Sequence, residues 1–301
     1  GSVLCKGVDV KYAWIKEHRH EFPVAVMCKI LKVGSSGFYD WQDRQPSPQQ
    51  QRREEIAQAA ARSYFESKRI YGYRKVYADL REDNFDCCQE TVRRVMAQMG
   101  LYSRVKRKFV VTTDSNHNLP IADNLLDRDF TAAKPNQKWV ADITYIPTEE
   151  GWLYLAATMD LFSRKIVGWS MSDRIDASLA VSSLHMALVH RQPGSGLLHH
   201  SDRGSQYASD AFQELLDDTN IACSMSGKGD CWDNACMESF FGSLKTEWIY
   251  GKKYQSKEEA KKDVFEYIEI FYNHKRRHAS LGDLSPAAYE ELYEKKQDQA
   301  A

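Results

Sequence analysis

A change of hydrophobic period at Trp139 divides this chain. Before it, apolar residues recur at helical spacing; from there they alternate, in 139–146 (WVADITYI), 153–162 (LYLAATMDLF) and 165–172 (KIVGWSMS). A period of 3.6 specifies a helix packed on one face, and a period of two specifies a strand. Turns at Glu149-Glu150-Gly151 and Ser163-Arg164 join the three segments as a meander. Strands at 197–202 and 221–226 come next, separated by a helix capped by Asp176, with the stripe Ala177, Ala180, Leu184 and Leu188, and by a helix near 209–218. A long helix over 234–250 buries Met237, Phe240, Phe241, Leu244 and Trp248. A meander succeeded by helix-flanked strands predicts an α/β unit with a mixed five-stranded sheet.

The first 110 residues read as all-α. Three short helices are expected near 10–18, 23–31 and 35–42, with Pro23 at a first helical position and Gly34 as a break. They form either a helix-turn-helix or a small packing bundle. The stretch 43–51 (DRQPSPQQQ) reads as a linker. A second tri-helical unit begins near Arg52: one helix to Glu66, one after Tyr71-Gly72, and one opened by Asp86 and Gln89 as a capping box and ended by Gly100. Arg93 and Arg94 point off the apolar stripe of the third helix. Arg104, Lys106, Arg107 and Lys108 come after it, as a phosphate-contacting segment or as a solvated face. The expected units are 1–50 (helix-turn-helix-like), 51–110 (a second helix-turn-helix), 111–134 (linker), 135–250 (catalytic core) and 251–301 (helical extension).

Charge divides along the same boundary. Residues 1–110 carry 21 Lys and Arg against 13 Asp and Glu, and residues 111–301 carry 20 against 29. A basic half beside an acidic half suggests that the first supplies affinity for phosphates. No apolar run reaches the roughly 18 residues a membrane span needs, and the seven cysteines contain no CxxC pair. Reduced thiols in a cytoplasm, without a disulfide framework or zinc module, are the expectation.

Three carboxylates stand out by position. Asp142 lies in the middle of a strand, where an ionised side chain needs a cationic partner. Asp202 ends a strand and precedes Arg203-Gly204, and Glu238 sits on the long helix. Taken singly they read equally as an ion pair, a turn cap and a surface glutamate. Together, on a first strand, a fourth strand and the next helix, they match the convergence point of an RNase H-like sheet, and an oxygen-only ligand set suits Mg²⁺ or Mn²⁺.

Four segments carry a resemblance: Trp139 to Tyr145 (WVADITY), His200 to Tyr207 (HSDRGSQY), Asp233 to Glu247 (DNACMESFFGSLKTE) and Tyr272 to His278 (YNHKRRH). With 35 residues between Asp202 and Glu238, the chain resembles the OrfB-type transposases of the insertion-sequence three family, whose catalytic domain is similar to retroviral integrases. Tyr71-Gly72-Tyr73-Arg74 and the helices after it resemble the family's second helix-turn-helix. The resemblance implies an RNase H-like core behind helix-turn-helix units, with Asp142, Asp202 and Glu238 as catalytic residues and ligands of two Mg²⁺ ions, Mn²⁺ being the alternative. It implies cleavage at the terminal inverted repeats of an insertion element and strand transfer by a 3′-OH. The implied partners are double-stranded DNA, further copies of the chain (at least a dimer) and an upstream-frame fusion or partner, in a prokaryotic cytoplasm with no membrane. The family's basic residue two turns after its glutamate corresponds to Lys245. Asn234, Gly242 and Lys245 are therefore expected to share with Glu238 a helix face that lies along the DNA. Lys275, Arg276 and Arg277 are a lesser DNA-binding candidate, equally readable as cations at a helix C-terminus.

Overall fold

The computed structural model describes residues 7–103, 120–227 and 231–299. Arg104, Lys106, Arg107 and Lys108 lie outside the described residues. Helices α1 (Val8–His18), α2 (Val24–Leu31) and α3 (Ser35–Asp43) pack around Tyr12, Ile15, Met27, Leu31 and Phe38. Pro23 caps α2 from outside the helix. The expected linker at 43–51 is shorter than its composition suggested, because α4 (Pro48–Glu66) begins inside it. Ser47 accepts a hydrogen bond from the Gln50 amide and Pro48 takes the first helical position, where no donor is lost.

In the second helical unit, α5 (Tyr73–Glu82) and α6 (Gln89–Gln98) complete a core of Ile56, Ala60, Tyr64, Val76, Leu80, Val92, Val95 and Met96. Gly100 ends α6 with φ +67°, a left-handed conformation glycine adopts without strain. The expected capping box is not formed. Cys88 is the N-cap without a side-chain hydrogen bond, and Asp86 pairs instead with Arg52 at 2.8 Å.

The core is a five-stranded sheet of β1 (Lys138–Thr148), β2 (Gly151–Asp160), β3 (Ile166–Ser172), β4 (Leu198–Ser201) and β5 (Ala222–Met225), in the order β3-β2-β1-β4-β5. The meander β1-β2-β3 is antiparallel, and β4 and β5 join parallel to β1. Helices α7 (Ala177–Arg191) and α8 (Asp210–Asp218) cover one face through Trp139, Ala141, Leu184, Ala187, Tyr207 and Phe212. Gly168 lets α7 approach β3, since a Cβ there would collide with the Ser183 carbonyl and with Ala187.

Helix α9 (Ala235–Ser243) and the C-terminal helices cover the other face. The single helix expected over 234–250 is broken: a 3₁₀ turn spans Cys231–Asn234, α9 is regular, and Leu244–Ile249 widens into a π-helix. The C-terminal stretch repeats the pattern, with α10 (Lys257–Phe265), a π segment (Glu266–Tyr272) and α11 (Pro286–Asp298). Its Tyr267, Ile268, Phe271 and Tyr272 belong to the same apolar cluster as the sheet and the second helical unit. The extension is therefore part of the core rather than an appendage. Among the described residues no helix is long and apolar enough to cross a membrane.

Candidate active site

Asp142 and Asp202 meet because β1 and β4 are parallel neighbours. The register pairs Trp139 with His199 and Val140 with His200, so continuing it by two residues sets Asp142 opposite Asp202. The Ile143 amide donates to Asp142 Oδ1 at 2.7 Å, and the Gly204 amide donates to Asp202 Oδ1 at 2.9 Å. A Cβ at Gly204 would sit 3.0 Å from that oxygen, so glycine permits the approach. Glu238 lies in the first turn of α9, a favourable place for a carboxylate.

The electrostatics tie the group together. Burial and then the neighbouring Asp202 push the Asp142 carboxyl well above its usual range; Glu238 adds to this, and the Ile143 amide and Lys245 oppose it. Burial also raises Glu238. Carboxylates that raise one another's affinity for protons do so because their charges repel, and a cation relieves the same repulsion. Among the described residues, no group of three His, Cys, Asp or Glu side chains is arranged to hold a metal ion as it stands.

The helix face expected along DNA needs correction. Asn234 is buried and donates its amide to the Ala141 carbonyl at 3.0 Å, tying the start of α9 to β1 one residue before Asp142. Lys245 is also buried, because this flank of the helix meets β1 rather than solvent. Its ammonium lies 4.6 Å from the centre of the Tyr145 ring, and burial lowers it to about 8 against the attraction of Asp142. Gly242 alone borders open space, with nothing within 4 Å of the position a Cβ would take.

The other basic candidates divide. Arg93 and Arg94 are exposed on α6 and both pair with Glu90, at 2.7 and 2.8 Å. Lys275 is exposed. Arg276 is corrected from a surface cation to a partly buried one, held by Glu247 at 2.6 Å and by Ser243. Arg277 is likewise engaged inside the protein, by Asp79 at 2.5 Å and by Glu82. These two side chains are engaged within the protein rather than free on its surface.

Several residues that build the site were not singled out in the sequence. Asp233, 2% exposed, accepts from the Gly227 amide, Asn124 and Arg128, each at 2.9 Å. Burial would raise it, but the Gly227 amide and the Arg128 cation hold it below its ordinary value. Asn124 and Arg128 lie in the expected linker, and the Leu125 and Leu126 amides donate to Ser224 of β5. The described part of that segment is thus fastened to the core. His200 bridges Ser224 and Ser226 beneath Asp202, and burial drives it down to about 4, which keeps it neutral. The sequence signal for Asp233 was an acid directly before the helix N-cap, but its partners lie about a hundred positions upstream and leave no local trace.

The chain is similar to known proteins. Integrase core domain models match residues 132–231 and 238–292, and an HTH-like domain model matches 51–109. The chain is 44% identical over 283 residues to transposase InsF for insertion sequence IS3A of Escherichia coli K12, covering 93% of this chain and 98% of that protein. It is 42% identical to a 31 kDa protein of insertion element IS600 from Shigella sonnei, covering 89% and 98%. Among solved structures, the HTLV-2 integrase catalytic core with magnesium is 16% identical with a TM-score of 0.42, over 53% of this chain and 99% of that one. A simian T-cell lymphotropic virus intasome chain is 16% identical with a TM-score of 0.46, over 77% and 74%. With an integrase-type core behind an HTH-like domain and this identity over nearly its whole length, the chain belongs to the IS3 family of transposases.

Proposed function

We propose that Asp142, Asp202 and Glu238 form one divalent-metal site that cleaves the terminal inverted repeats of an insertion element and joins the exposed 3′-OH to another phosphodiester. The observation that carries this reading is the parallel pairing of β1 with β4, which sets Asp142 opposite Asp202, with the start of the Glu238 helix tied to β1 beside Asp142. The donor set fits the group: oxygen-only, acidic, and destabilised by its own charge without a cation. When bound, two Mg²⁺ ions, or Mn²⁺, supply Lewis-acid stabilisation of the attacking and leaving oxygens.

The chain's own residues supply position and charge. Asn234 fixes the start of α9, and so Glu238, to the backbone beside Asp142. Asp233 ties the descending end of β5 to the segment before β1. Lys245 brings a positive charge to the Asp142 side of the site, which favours the ionised carboxylate that a metal requires. Residues 51–110 would hold the duplex, with Arg93 and Arg94 on the exposed face of α6 and the basic run from Arg104 to Lys108 as phosphate contacts. At least two copies would be needed to bring two element ends together, with an upstream-frame product as a further partner.

The test is strand transfer with duplexes bearing the repeats that flank the gene. The reading requires joined product with Mg²⁺ or Mn²⁺ and none with chelator. Asp142→Asn, Asp202→Asn and Glu238→Gln should each abolish joining while retaining end binding. Near-wild-type joining by any of the three would remove that residue from the site.

A further inference from the structure

A pocket of about 320 Å³ opens on the flank of α9 turned away from Glu238. Arg164, Arg276 and His278 line it together with Ser239, over a floor that includes Met159 and Phe240. Three regions distant in sequence build it: the turn between β2 and β3, helix α9, and the stretch after the second π segment. Among the described residues, no carboxylate lines it. Glu247 offsets Arg276 at 2.6 Å. Arg164 has no such offset among the described residues; its guanidinium donates to the Cys236 sulfur, a weak acceptor. Cys236 is the second residue of α9, so the positive end of the helix dipole adds to the charge of Arg164. His278, with burial and then Arg276, Lys75 and Arg164 lowering it to about 3, stays neutral and can share a hydrogen bond at neutral pH.

A concave site with an unneutralised guanidinium, a hydroxyl and a helix N-terminus suits an oxyanion. Its place narrows the choice. Met159 pairs with Val140 and Ala157 pairs with Asp142, and residues two apart on a strand share a face. The pocket floor and Asp142 are therefore on the same face of the sheet. At ~3.6 residues per turn, Ser239 lies about 100° and Cys236 about 160° round α9 from Glu238. A helix is ~10 Å across, so the pocket and the carboxylates flank α9 within the reach of one DNA strand.

We propose that this pocket binds a backbone phosphate of the DNA strand on which the carboxylates act. The identity of the ligand as DNA rests on the function proposed for the carboxylates, whereas binding to the pocket can be measured without turnover. Arg164 is the principal ligand, and Ser239 and the first turn of α9 complete the cradle.

The full chain is titrated with a fluorescein-labelled duplex of mixed sequence, by anisotropy, over a series of KCl concentrations. Arg164→Gln is expected to reduce the slope of log affinity against log salt by about one, the loss of a single phosphate contact, and Arg164→Lys to restore most of it. Ser239 is exposed, so Ser239→Asp should fold normally by thermal melting and yet weaken binding several-fold through repulsion. An unchanged slope for Arg164→Gln overturns the proposal whatever the enzymatic activity. A slope loss in a protein that never joins DNA supports the pocket and strikes only the catalytic reading.

Discussion

Asp142 was legible as a candidate because an acid inside an apolar strand needs a cationic partner, and the parallel pairing of β1 with β4 sharpens that need by setting Asp202 beside it. A folded-state pKa raised above 3.8 means that Asp142 favours folding while protonated and opposes it once the pH exceeds the folded pKa. Asp142→Asn should therefore raise the melting temperature of the metal-free protein at neutral pH and erase the stabilisation that Mg²⁺ gives the wild type; calorimetry with and without Mg²⁺ checks both. Lys245 was legible by its spacing from Glu238, but its burial was not, because periodicity cannot say that two flanks of one helix are covered. Its pKa falls from 10.5 to about 8. The unfolded chain then binds more protons between those values, so stability rises with pH across that window. Lys245→Met should stabilise the metal-free protein most below pH about 8, the gain shrinking towards 10.5, and should lower strand transfer. A gain that grew with pH would contradict the burial of a charged ammonium.

Among the elements, the three meander strands were legible from alternation, and β4 and β5 from their place between helices. The caps and helix interruptions were less so. Asp86 had the sequence of a capping residue, yet Arg52, 34 positions away, draws it off. The π segments at 244–249 and 266–272 sit where two aromatic-rich helices pack, with Trp248, Tyr267 and Phe271 in mutual ring contact, and no local propensity announces them. Gly242 tests the face of α9 directly. An interior helical glycine costs about 1 kcal/mol against alanine, and a side chain there meets open space. Gly242→Leu should leave thermal stability unchanged or higher while reducing strand transfer; normal turnover would mean that DNA does not run along this face. Asp233→Ala should cost on the order of 1–3 kcal/mol in urea denaturation, since it leaves part-buried donors unpaired.

Over the whole molecule, charge separates a basic from an acidic half but does not reveal that the two pack against each other. Tyr71 donates to the Lys275 carbonyl at 2.8 Å, Lys68 pairs with Glu266 at 2.5 Å, and Arg277 reaches Asp79 and Glu82. The HTH-like unit is thereby seated against the C-terminal extension, a contact between residues some 200 positions apart that composition cannot reveal. Arg277→Ala should loosen this seat, seen as faster proteolytic separation of residues 51–103 from the core, without a change in the salt slope of DNA binding. An altered slope would return Arg277 to the role of a phosphate contact. Whether carboxylates from β1, the end of β4 and α9 hold metal as one site can be read from anomalous diffraction by crystals grown with Mn²⁺. Two peaks within coordinating distance of Asp142, Asp202 and Glu238, lost in Asp142→Asn, are the expected result; Mn²⁺ bound elsewhere, with these three side chains free of it, would contradict the account.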